Sequence, residues 1–285
     1  MRSTASLYRK ESSFYDFEKR NIEANGLSRS FIVMKISSSV AIVTGGNRGI
    51  GEAFVRSLLA AGASKVYVGS RDAGAAQHLA EEFAGKAIPI ELDVTIEEQV
   101  TAAAKYCSDV SIVINNAGAF HNQTLLGASD MTAARSEMEV NYFGPLSMCR
   151  SFAPVLAANG GGAIVNVLSA GALVAIPNMG GYSPSKFAER ALTTNIRAEL
   201  ADQGTQVSCL IVGSVDTRMA SHVQGRKEPP SVIAAAGIKA IEKNHSEIDT
   251  DSFAINVRAA LARDPARVER QMASALKLDV LSTGR

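Results

Sequence analysis

From Val40 onward the chain alternates short apolar runs with longer stretches of helical periodicity. Val40-Ala-Ile-Val-Thr44 is a β-rich run closed by glycines and reads as a buried strand. Residues 49–62 place Ile50, Ala53, Phe54, Leu58 and Leu59 at helical spacing and stop at Gly62, a natural residue for a helix end. The pattern then predicts strands over 65–69, 87–92 and 111–115, separated by helices over 73–84 and 96–107. A long helical stretch covers 130–157 with Gly144-Pro145 as an interruption, followed by a strand at 163–168, a helix at 181–202 and a strand at 206–212. Short apolar strands alternating with helices predict an α/β fold: a parallel, doubly wound sheet with helices on both faces.

After Val212 the periodicity loosens. Gly213, Gly225, Pro229 and Pro230 mark residues 213–230 as a mobile loop, placed where a substrate would be covered. A helix is predicted over 231–242 with Ser231 as its cap, and a helical tail over 252–285. No linker-like composition divides the rest, so residues 37–285 read as one domain. Residues 1–36 mix serines, basic residues and acids without a period, and read as a flexible extension. That extension has no apolar run of a secretion signal, and its acids argue against a transit peptide. Met34 is the expected functional start, and removal of residues 1–33 is expected to leave activity unchanged.

Composition narrows the function. The 285 residues carry a formal net charge of +1 without basic or acidic blocks, which argues against nucleic acid or a membrane surface as partner. No run of 18 apolar residues exists to span a bilayer. Cys107, Cys149 and Cys209 lie far apart beside apolar stretches and read as buried free thiols, consistent with a reducing, cytoplasmic setting. His78, His121, His222 and His245 form no metal-like spacing with one another or with cysteine, so no metal is expected.

Two stretches carry chemistry. Between the first strand and helix lies Thr44-Gly-Gly-Asn-Arg-Gly-Ile-Gly51, where a glycine-rich turn and a helix N-terminus can receive a pyrophosphate. At the end of the second strand an acid would favour NAD(H), whereas an arginine accommodates the extra phosphate of NADP(H). Here Ser70 and Arg71 follow that strand and Arg48 lies in the glycine turn, so NADP(H) is preferred and NAD(H) is the second choice; Asp72 is placed to pair with Arg71. The second stretch runs from Ser169 to Lys186. Tyr182 and Lys186 stand at i, i+4 on one helix face, where an ammonium beside a phenol favours proton transfer by the tyrosine.

With these pieces assembled, the chain resembles the classical short-chain dehydrogenase/reductase family over about Ser39 to Ile241. Thr44–Gly51 matches its TGxxxGIG turn, Leu92-Asp93-Val94 its motif after the third strand, and Asn115-Asn116-Ala117-Gly118 its NNAG motif. Asn141 and Ser169 stand forty-one and thirteen residues before Tyr182, as in that family. The resemblance implies a single-domain Rossmann-type fold and a division of labour. Tyr182 is the general acid/base, Lys186 lowers its pKa and holds the nicotinamide ribose, Ser169 polarises the carbonyl, and Asn141 anchors a water leading to solvent. It also implies cofactor contacts from Gly45, Asn47, Arg48, Gly49, Ile50, Gly51, Ser70, Arg71, Asp93, Val94, Asn116, Ala117, Gly118, Gly213, Val215 and Thr217. Two departures stand out: Val212-Gly213 replaces the usual Pro-Gly, and Glu247–Asp251 stands where many members carry an Asp-Gly-Gly used in tetramers.

The expected activity is hydride transfer between NADPH and a ketone or aldehyde, reversibly an alcohol, by a homodimer or homotetramer. Phe120, Leu173, Ile176, Met179, Tyr182 and the 213–230 loop are expected to form an apolar substrate pocket, while Arg218 and Arg226 keep an acidic substrate open. A non-catalytic NADP(H)-binding regulator is the alternative, against which stands the presence of both Tyr182 and Lys186. Epimerisation or dehydration would ask for a larger substrate domain.

Overall fold

The structure, a computed structural model, describes residues 34–282, with side chains to residue 274. Residues 1–33 of the extension expected over 1–36 lie outside them. Ile36, assigned to that extension by its sequence, is 1% exposed and packs in the core, so the folded body begins before residue 37.

Among the described residues seven strands form one sheet: β1 (Val40–Thr44), β2 (Lys65–Ser70), β3 (Ala87–Glu91), β4 (Ile112–Asn115), β5 (Gly162–Val167), β6 (Thr205–Ile211) and β7 (Glu247–Asp249). Their order is β3-β2-β1-β4-β5-β6-β7, and every neighbouring pair is parallel. The order reverses between β1 and β4, so the loops leaving those strands diverge and open a crevice at their carboxyl ends.

Alternation along each strand divides the core into two layers. Ala41, Val43, Ile112 and Ile114 face α1 (Gly49–Ala60), α2 (Gln77–Glu82) and α7 (Pro230–Lys243). Ile42, Val113 and Ile164 face α3 (Glu97–Tyr106), α5 (Gly144–Ala158) and α6 (Tyr182–Glu199). Cys107, Cys149 and Cys209 are buried free thiols, and burial pushes each up to about 12. β7 lies at the sheet edge inside a lattice of charge, where Arg190 and Arg258 both donate to Glu247 and Arg258 also to Asp249. Charged side chains of this kind blunt an edge strand.

Several elements depart from their expected form. The 130–157 stretch is α4 (Thr132–Met138), a π turn over Glu139–Phe143, then α5; Gly144 and Pro145 open α5 rather than interrupt it, since proline is tolerated in a first turn. The 73–84 stretch starts as a 3-10 turn over Ala73–Ala76 before α2. Ser231 is not the cap of α7: the helix starts at Pro230, with Pro229 at the cap position and no side-chain cap bond. The tail is α8 (Ser252–Arg263), capped by Asp251, and α9 (Pro265–Ser282). Among the described residues no helix is long and apolar enough to cross a membrane.

Candidate active site

A cleft of about 1670 Å³ opens at the carboxyl ends of the strands, larger than the usual range of about 300–1,000 Å³ for a drug-sized ligand. Of the residues expected to bind cofactor or carry proton transfer, all line it except Gly51 and Asn141, which are buried.

The glycine turn is set by close backbone approach. A Cβ on Gly51 would lie 2.1 Å from the Gly45 carbonyl oxygen, so only glycine lets α1 start this near the turn. Gly49 has φ +56, a left-handed conformation, and a Cβ there would lie 3.3 Å from Thr217. α1 begins at Gly49 with no side-chain cap, so its first N–H groups face the cleft without a capping oxygen. The Asn116 amide donates to the carbonyls of Thr44 and Gly45 at 3.0 and 3.2 Å, tying the loop after β4 to the turn after β1. Asp93 uses Oδ1 to accept from the amide and hydroxyl of Thr95.

Three guanidiniums line one side of the cleft: Arg48, Arg71 and Arg218, all exposed. Arg48 is held below its ordinary value, first by partial burial and then by the positive charges of Arg218 and Arg71. Among the described residues none of the three forms an ion pair with a carboxylate. Asp72 does not pair with Arg71; its carboxylate accepts from the Gly74 amide and caps the turn after β2. The Ser70 hydroxyl donates to the Asp72 carbonyl at 2.6 Å, so its proton serves that turn rather than the cleft.

The residues expected to carry proton transfer converge from β5, α6 and the π turn. Ser169 caps the 3-10 turn Ala170–Ala172 and accepts from the Gly171 amide at 3.1 Å, which leaves its own proton to donate. A Cβ on Gly171 would lie 3.5 Å from the Ser169 hydroxyl oxygen and 3.7 Å from the Tyr182 ring, so hydroxyl and phenol border the same glycine. The Lys186 ammonium lies 5.9 Å from the Tyr182 ring centroid, donates to the Val167 carbonyl at 3.1 Å and pairs with Glu189 at 2.6 Å. Both donors of the Asn141 side chain are used: it accepts from the Ala119 amide and donates to the Ala119 carbonyl and the Ser185 hydroxyl. It therefore ties the loop after β4 to α6.

The substrate end differs from its expected form. Phe120, Tyr182 and the loop after β6 line the cleft, but Leu173, Ile176 and Met179 do not. Leu173 and Ile176 pack with Val257, Val268 and Met272 of α8 and α9. The wall instead includes His121, Asn122, Ser136 and His222, with Phe120 between Tyr182 and His222 at ring distances of 5.2 and 5.3 Å. The loop expected to be mobile is tethered at both ends. The Gly213 amide donates to Asp251 at 2.6 Å, and Val215 bridges Glu228. Asp251 thus holds the glycine that follows Val212, the residue standing in place of the proline.

Two buried carboxyls had no place in the sequence-based set. Glu137 accepts from the His121 amide at 2.8 Å and from the Gly181 amide, joining the substrate wall to the start of α6; burial raises it despite those bonds. Glu189 stands at i+3 from Lys186 on a buried helix face that also carries Ser183, Ser185 and Thr193.

The short chain dehydrogenase family model matches residues 39–228. Galactitol 2-dehydrogenase (L-tagatose-forming) of Cereibacter sphaeroides is 36% identical over 202 residues, which cover 69% of this chain and 79% of that protein. Three further curated relatives are matched over only 39%, 63% and 60% of their length, which leaves their whole-protein activities to them. A short chain dehydrogenase from Burkholderia cenocepacia J2315, solved in complex with NADP, superposes with a TM-score of 0.80 at 39% identity, over 84% of this chain and 99% of that one. A 7α-hydroxysteroid dehydrogenase solved with NADH and 7-oxo glycochenodeoxycholic acid follows at 0.69 and 27%, over 76% and 92%. With the motifs in order, the reversed sheet and the match across two thirds of its length, the chain belongs to the short-chain dehydrogenase/reductase family.

Proposed function

We propose that the protein is an NADP(H)-dependent oxidoreductase that interconverts a ketone or aldehyde with its alcohol. The observation that carries this reading is one cleft lined both by Ser169, Tyr182 and Lys186 and by three arginines that, among the described residues, form no ion pair with a carboxylate. The donor set fits a dinucleotide. Uncapped N–H groups of α1 face the pyrophosphate position, and Arg48, Arg71 and Arg218 suit a further phosphate. Structures of relatives bound to NADP and to NADH support the cofactor class, and the arginines support the phosphorylated form.

When bound, the nicotinamide cofactor supplies or accepts the hydride. Tyr182 gives its phenolic proton to the substrate oxygen in reduction and takes it back in oxidation. Ser169 donates a hydrogen bond to the same oxygen and stabilises the charge that develops there. Lys186 keeps positive charge beside Tyr182 and reaches the ribose hydroxyls. A positioned acid of this kind contributes roughly 10²–10⁴ in rate. His121, Asn122, Ser136 and His222 favour a substrate with hydrogen-bonding groups near its carbonyl rather than a purely apolar one.

The test is a panel of carbonyl compounds, hydroxylated and plain, offered with NADPH and with NADH and followed at the nicotinamide absorbance band. Turnover with NADPH on hydroxylated members is expected. Binding of NADPH without oxidation across the panel would favour the non-catalytic regulator.

A further inference from the structure

A carboxyl that the proposed reaction does not use lies one turn beyond Lys186. Glu189 is 1% exposed and Lys186 4%, and Glu189 Oε2 stands 2.6 Å from Lys186 Nζ. The second bond of the ammonium goes to the Val167 carbonyl at the end of β5. Neutral polar groups continue inward from the pair. The Glu189 carbonyl accepts from Thr193 Oγ1 at 2.8 Å, Thr193 Oγ1 from Asn166 Nδ2 at 2.7 Å, and Asn166 Oδ1 from Asn115 Nδ2 at 2.8 Å. Two charges in so dry an interior return little net stability, and uncharged side chains could fill the space without the desolvation cost. The carboxyl is therefore explained by what it does to the lysine.

We propose that Glu189 is a positioning residue for Lys186: its carboxylate fixes the ammonium between the end of β5 and Tyr182 and supplies the countercharge that keeps the amine protonated while buried. The inference rests on the reading of Lys186 as shared between cofactor and Tyr182. Burial raises the Glu189 carboxyl to about 7 even with the ammonium opposing. On Lys186 burial acts downward, but the Glu189 charge and then Tyr182 outweigh it, and the net direction is upward. The groups that face the pair are Tyr182 and Thr193 from α6, Asn166 from β5, Asn115 from β4 and the Cys149 thiol from α5, which burial holds at about 12. Of Glu189, Lys186 and Cys149, only Glu189 changes charge near neutrality.

The experiment compares the full-length wild type with Glu189→Gln. NADPH affinity is read by nicotinamide fluorescence, and kcat/KM on the best substrate of the carbonyl panel, from about pH 6 to about pH 9.5. Without its countercharge the buried amine is left to burial, which acts downward on it, so its charged form is depleted first at the alkaline end of that range. E189Q should therefore lose affinity and kcat/KM in the alkaline range where the wild type is flat. A purely structural role would lower both by one factor at every pH, and parallel profiles overturn the proposal. Glu189→Asp keeps the charge on a shorter arm and should hold the alkaline limb where the wild type has it; equal loss in both variants also overturns it.

Melting temperature without cofactor gives a second readout. A carboxyl whose folded value is raised contributes stability that is whole below its unfolded value near 4.5 and is lost as pH rises through about 7. The melting-temperature advantage of the wild type over E189Q should shrink across that window, and a constant difference overturns the inference. If the wild type binds no NADPH, the cofactor reading falls and the melting comparison alone decides Glu189. Should E189Q not fold, Lys186→Met takes its place: its deficit against the wild type should grow as pH rises through 7, and a constant deficit overturns the proposal.

Discussion

Arg48, Arg71 and Arg218 carry their charge on exposed side chains beside the glycine turn, whereas Lys186 and Glu189 hold theirs inside α6 with almost no access to water. Both regions border one cleft, yet they answer to different variables. Exposed cations that pair with no carboxylate among the described residues can take a ligand of opposite charge, and mobile salt would compete with it. A buried pair is closed to salt and responds to pH, because a proton is the smallest thing that can change its charge. The two sets of charges thus respond separately, one to salt and one to pH, beside one cleft.

The largest effect should come from Tyr182→Phe, which removes the proposed acid without touching either set of charges. Turnover is expected to fall by about 10²–10⁴ while NADPH affinity by fluorescence stays near the wild-type value; undiminished turnover would sink the acid role. Lys186→Met acts on the buried side, where one side chain is proposed to serve both cofactor binding and proton transfer. It should cost turnover by a similar factor and cofactor affinity by a smaller one, and an unchanged NADPH Kd would confine the lysine to the chemistry. Arg71→Asp stays on the exposed side. Loss of a charge-assisted contact worth about 1.5–3 kcal/mol should weaken NADPH by about ten- to a hundredfold and leave NADH nearly unchanged. Equal loss for both cofactors would place Arg71 away from the extra phosphate. The mildest test is salt. Raising it from about 0.05 to 0.5 M should weaken NADPH several-fold and leave the pH profile governed by Glu189 in place; a profile that moves with salt would mean the pair is not closed to solvent.

What the sequence made legible follows from distance along the chain. The glycine turn and the Tyr182–Lys186 pair are local patterns, and strand alternation foretold both faces of the sheet. Glu189 was equally local, but i+3 from a lysine it has the form of an ordinary helix-surface ion pair, and only burial separates the two cases. Glu137 was out of reach because its partners, His121 and Gly181, come together only through the fold. Leu173, Ile176 and Met179 were read as substrate contacts because they lie between Ser169 and Tyr182. The tail that claims Leu173 and Ile176 has a weak apolar period, so its packing partner could not be named from sequence. The π turn at Asn141 replaced an expected break at Gly144-Pro145, since a proline in the first turn leaves helix geometry intact.

The cluster of Val174 with Val257 and Val268 bears on the order of events in synthesis. Ser169, Tyr182 and Lys186 leave the ribosome well before the helices that hold the segment between them. A nascent chain can close β1 to β6 around its cores while the stretch from Leu173 to Ile176 still lacks its packing partners. The glycine turn and the cleft walls built on β1 to β6 are thus assembled early and the segment between Ser169 and Tyr182 is fastened late, so a ribosome-bound chain stalled after α7 would hold Ser169, Tyr182 and Lys186 without a fixed spacing between them.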